Sequence, residues 1–106
     1  MAVNKHKEHV WVVPEDDANR QLANGFYLHA DLDDTRFHIS KAPGGWLKVL
    51  LEFEQVHAKA LRTFTLRHLV LLIDFDGKVD ERAAKFKAAI PADVADRVYL
   101  LGGHTQ

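Results

Sequence analysis

The run His68-Leu69-Val70-Leu71-Leu72-Ile73-Asp74-Phe75-Asp76-Gly77 constrains this chain more than any other stretch. Five consecutive apolar residues closed by a turn residue read as a strand buried on both faces, as in parallel sheets. The run ends in two carboxylates at i and i+2, which point the same way off a strand. Gly77 then allows the backbone to turn sharply. In open α/β sheets ligands sit outside the carboxyl ends of the strands, where Asp74 and Asp76 are expected. Two like charges held together are costly unless a cation or protons relieve them, so an acidic metal site is the sharp reading. A solvated Asp-x-Asp-Gly turn is the plain one.

The remaining elements fall around this strand. His9 to Val13 is rich in β-branched and aromatic residues and is stopped by Pro14, so it reads as a first strand. Glu15-Asp16-Asp17 follows, and the spacing of Ala18, Leu22, Ala23 and Phe26 predicts a helix capped near Asn24-Gly25. Glu15 then sits at a strand-to-helix junction, the same structural place as Asp74 and Asp76, while Asp16 and Asp17 suit helix capping. The aspartates at 31, 33 and 34 lack the glycine and terminal glutamate of a calcium loop and read as solvated.

Arg36 to Ser40 alternates and predicts a short edge strand. After Pro43-Gly44-Gly45, an amphipathic helix is expected from about Trp46 to Arg62. Its inward face would carry Trp46, Val49, Leu50, Phe53, Val56, Ala60 and Leu61. Gly44 and Gly45 are candidates to cradle a phosphate on backbone N–H groups. Asp80 to Ile90 predicts a third helix, with Ala83, Ala84, Phe86, Lys87 and Ile90 inward, and Arg97 to Leu101 a last strand. The order β-α-β-α-β-α-β implies a three-layer, Rossmann-like α/β fold. Its sheet would have four mainly parallel strands in the order 2-1-3-4. Strands one and three would then be neighbours, bringing Glu15, Asp74 and Asp76 to one crevice.

The chain has 106 residues, 47% hydrophobic and 27% charged, enough for a single domain over 1–106 with short flexible ends at 1–7 and 103–106. The lack of cysteine excludes disulfides, thiolate zinc sites and cysteine nucleophiles, and accords with a cytoplasmic location. Met1 to Lys7 has no apolar core, so no secretory signal is expected, and Leu69 to Ile73 is too short to span a bilayer. With a formal net charge of −1, strong non-specific attraction to nucleic acid is not expected; RNA or DNA would be met by a local patch or through a partner protein. Seven histidines form no metal-binding or triad pattern, and packing or solvation is their expected role.

A Glu after the first strand (Val10 to Val13, then Glu15), a Gly44-Gly45 turn after the second and the Asp74-x-Asp76 pair after the third resemble the Toprim domain of topoisomerases, primases and nucleases. The resemblance implies acid/base chemistry at Glu15 and binding of Mg²⁺ (or Mn²⁺) by Asp74 and Asp76, with Glu15 completing the oxygen set. It implies a small stand-alone protein acting on phosphodiesters, a nuclease or related phosphotransferase in RNA processing or phage defence. Three positions depart from the family's pattern: Asp16 and Val79 stand where glycines are usual, and Asn19 where an acid is. Lys78 and Arg82 are candidates to hold a non-reacting phosphate. Besides a purely structural interaction protein, two other readings stand beside this one. One is a binding or regulatory module that keeps the acidic pocket without turnover. The other is a haloacid-dehalogenase-like phosphatase, whose first motif Asp74-Phe75-Asp76-Gly77 resembles, although Lys78 replaces the usual Thr and the motif comes late in the chain.

Overall fold

Four strands form one all-parallel sheet in the order β2-β1-β3-β4 in the computed structural model, which describes residues 6–17, 21, 36–74 and 79–103, the side chains of residues 74 and 79 excepted. The strands are β1 (His9–Pro14), β2 (Phe37–Ile39), β3 (Arg67–Asp74) and β4 (Val98–Gly103). Helix α1 (Trp46–Glu52), a π turn (Phe53–His57) and α2 (Ala58–Thr63) run on without a break between β2 and β3; α3 (Val79–Ala89) lies between β3 and β4. This is the expected Rossmann-like α/β architecture, with the expected strand order and β2 at an edge. Most of the helix expected after Glu15 lies outside the described residues; Asp17 and Gln21 are helical.

Strand alternation explains where the core sits. Leu69, Leu71 and Ile73 are fully buried, and they meet Val13 of β1 and Val49, Phe53, Ala58 and Leu61 of the long helix. Phe86 and Val94 close the cluster on the β4 side, with Ala83 and Ile90 packed against it as expected. Ala84 and Lys87, expected inward, are exposed: the inward stripe of α3 is the narrow i, i+3, i+7 set of 83, 86 and 90.

The long helix departs from its expected phase. The Ala58 N–H donates to the carbonyl of Phe53, five residues back, so the chain between them holds one residue more than a regular turn. Val56, expected inward, is therefore 52% exposed, and His57 is buried in its place. The same turn sets Glu52 and His57 one above the other, with Nε2 2.7 Å from the Glu52 carboxylate.

At the amino edge of the sheet a guanidinium is buried. Arg67 is only 4% exposed, and its Nε–H donates to His9 Nε2 at 3.1 Å. His9 Nδ1 lies 2.9 Å from the Lys7 carbonyl, which fixes a neutral imidazole that donates from Nδ1 and accepts at Nε2. The guanidinium lies 4.1 Å from the ring centroid of Trp11 and 4.7 Å from that of Phe64. Burial pushes the Arg67 pKa down, and the two ring faces offset part of the cost of taking the charge out of water.

A second arginine closes the end of α2. Arg97 donates from Nη1 to the carbonyls of Phe64 (3.2 Å) and Arg67 (3.0 Å) and from Nη2 to that of Leu61 (2.8 Å). A cation on carbonyls at a helix C-terminus also complements the helix dipole. Arg97→Ala is expected to lower the unfolding free energy by about 2–3 kcal/mol in urea denaturation, because three acceptors lose a charged donor. Arg97→Lys should recover little of this, since one ammonium cannot span the three oxygens. By contrast, the bidentate Arg62–Asp93 pair (2.9 and 3.2 Å) is solvent-exposed and adds little. The hydrogen bond from Arg62 holds the Asp93 carboxyl below its ordinary range. That small contribution is present above about pH 4 and fades as the pH falls through the lowered value.

Candidate functional site

The site is assembled where β1 and β3 end side by side. Pro14 pairs with Leu72, and the Glu15 N–H donates to the Leu72 carbonyl at 2.9 Å, so the ladder continues one residue past β1. Asp74, whose backbone ends β3 opposite Gly103, then stands one residue further along the neighbouring strand than Glu15. That offset corresponds to roughly 6 Å between their Cα atoms. From β1 the chain goes on to β2 on one side, and from β3 to β4 on the other. The two acidic positions therefore flank the point where strand order reverses, the usual crevice for ligands in such sheets.

The glycine turn is fastened to this edge. Gly44 and Gly45 N–H groups donate to the Glu15 carbonyl at 3.0 and 3.1 Å. Both residues have positive φ, 93° and 124°, a conformation that side chains rarely adopt and that lets two successive amides converge on one oxygen. Their N–H groups hold Glu15 in place, rather than standing open to a phosphate. Trp46 follows at once as the first residue of α1, and two cations of α3 lie against its ring: Arg82 at 5.1 Å and Lys85 at 5.3 Å from the centroid. Arg82, expected as a phosphate contact, is thus tied through Trp46 to the turn that abuts Glu15. Lys85 was not anticipated, although its i+3 spacing from Arg82 on one helix was a legible signal.

Glu15 and Asp16 are half-buried and both are engaged with neighbours; Asp17 is exposed at the start of a helix. Asp76, Gly77 and Lys78 lie outside the described residues, as does the Asp74 side chain. Among the described residues no three metal-ligating side chains come together. The residue types expected at this edge offer only carboxylate oxygen, the donor set that suits a hard divalent cation such as Mg²⁺. No helix among the described residues is long and apolar enough to cross a membrane.

Comparisons with protein-family models, with curated proteins and with solved structures return no match.

Proposed function

We propose that this protein is a Toprim-like, Mg²⁺-dependent enzyme acting on phosphodiesters of RNA or DNA, with its centre at the carboxyl edge of β1 and β3. The observation that carries this reading is the adjacency of those two strands, parallel and in register, which ends Glu15 and Asp74 within a residue of each other at the switch point. Glu15, Asp74 and Asp76 would hold Mg²⁺ or Mn²⁺ through oxygen. When bound, the ion neutralises a phosphate and steadies the charge that builds on transfer. Glu15, fixed by its backbone to Leu72 and to the glycine turn, is the group that exchanges a proton with water or a leaving oxygen. Arg82 and Lys85 supply positive charge beside Trp46 for a neighbouring, non-reacting phosphate.

A thermal titration tests the reading without any substrate. Melting temperature should rise saturably with Mg²⁺ or Mn²⁺, by the equivalent of about 2.7 kcal/mol at a hundred times the dissociation constant. In metal-free buffer Asp74→Asn should be neutral or slightly stabilising, because it relieves repulsion between carboxylates, and its metal response should be lost. Leu71→Ala, a core deletion, should instead cost about 2–5 kcal/mol. No shift with either ion, or an Asp74→Asn protein as unstable as Leu71→Ala, sinks the metal centre.

A further inference from the structure

We infer that the outer edge of β4 is a pairing surface for a second copy of this chain, joining two four-stranded sheets into one of eight strands. Among the described residues β4 pairs only with β3, and no described strand lies against its outer row of N–H and C=O groups. Natural sheets blunt such edges with short strands, charges, proline or bulges. The opposite edge follows that rule, since β2 is three residues long. The β4 edge does not: Val98-Tyr99-Leu100-Leu101-Gly102-Gly103 is six residues without a charge or a proline. Its outward face exposes Tyr99 (45%) and Leu101 (52%), and an open pocket of about 530 Å³ lies along the strand's edge, lined by β4 from Val98 to Leu101 and by Lys87, Ile90 and Ala95.

The pattern of this strand selects a second copy as occupant. A two-fold axis perpendicular to the sheet sets the two β4 strands antiparallel, with residues directly opposite pointing to the same face. Centred on Leu100, it places Tyr99 of each copy opposite Leu101 of the other, two aromatic–aliphatic cross-strand pairs that cover both exposed side chains. Centred on Tyr99, the axis would instead set Leu101 against Arg97; centred on Leu101, it would set Tyr99 against Gly103. Because the strand carries no charge, two copies meet without like-charge repulsion. Val98 and Leu100, on the other face, pack against the core, and Ile90 and Lys87 beside them extend the contact along α3. Some nine residues per copy take part, fewer than the roughly 20–30 of a standard interface, so the dimer is reversible rather than obligate.

Sedimentation of the full chain over a concentration series reads the proposal directly. The wild type should pass from the mass of one chain to that of two as concentration rises. Leu101→Lys, an exposed change on the strand, should hold it at one, while Leu51→Lys, equally exposed on α1, should leave the transition unaltered. The chain has no cysteine, so Leu100→Cys provides a second, covalent test. A residue opposite itself has Cα atoms about 4.5–5.5 Å apart, within disulfide reach, and should cross-link two copies on oxidation. A monomer at every concentration up to about 1 mM (a dissociation free energy near 4 kcal/mol) overturns the inference. So does a dimer indifferent to Leu101→Lys, or one lost equally to Leu51→Lys.

Discussion

Phe53→Ala is expected to destabilise the protein by about 3–5 kcal/mol, the largest loss from any single truncation of the long helix. Phe53 is fully buried among Val49, Leu61 and the inner face of β3, so removing its ring forfeits burial and leaves a cavity that the parallel strands cannot close over. It is also the residue whose carbonyl accepts the five-residue bond of the π turn. Val56→Ala, three positions on, should change stability by less than about 0.5 kcal/mol because Val56 faces water. Urea denaturation of the two variants separates the phases outright: a regular helix that buries Val56 would give both a cost. Deleting Gln55 completes the argument. It removes the extra residue of the turn, makes Phe53 to Ala58 a five-residue α span, and keeps Val49, Phe53, Ala58 and Leu61 on one face. The shortened chain should still fold cooperatively.

That turn marks the boundary of what the residues alone disclose. Val49, Phe53, Val56 and Ala60 follow an unbroken i, i+4, i+7, i+11 series, and nothing in it signals an inserted residue. Tertiary packing decides the phase, because Ala58 joins Leu61 in the core where Val56 would otherwise lie. The buried Arg67–His9 pair was equally hidden. Its partners are 58 residues apart, and their meeting depends on β1 and β3 pairing with His9 opposite Arg67. The strand order, in contrast, was legible, since alternation of strand and helix with one doubly apolar strand leaves few parallel arrangements. That Glu15 and Asp74 follow adjacent strands was legible for the same reason: each is the first acid after an apolar strand. What no pattern disclosed is how the edge is tied together. Two glycine amides meeting on the Glu15 carbonyl, and two cations on Trp46, are contacts between segments distant in the chain.

With Mg²⁺ or Mn²⁺ present, the protein is expected to cleave or rejoin RNA or DNA, and Glu15→Gln is expected to reduce that rate by a factor on the order of 10²–10⁴, the usual worth of a positioned acid/base group. The substitution is nearly isosteric and leaves untouched the backbone bonds from Glu15 to Leu72, Gly44 and Gly45, so the edge should keep its form and the melting temperature should barely change. Asp76→Ala removes a proposed oxygen ligand and should abolish both turnover and the metal-dependent rise in melting temperature. The two variants therefore fail in different ways: Glu15→Gln loses the proton-transfer group and weakens ion binding while keeping an oxygen donor, whereas Asp76→Ala loses ion binding outright. Ca²⁺ should support binding but little turnover, because its looser coordination positions the reacting oxygens less well. A Glu15→Gln protein with full activity would remove this residue from the chemistry. A wild-type protein whose melting temperature responds to Mg²⁺, yet which turns over no RNA or DNA, would leave a binding module, with the carboxylates serving to hold an ion against a bound phosphate rather than to transfer one.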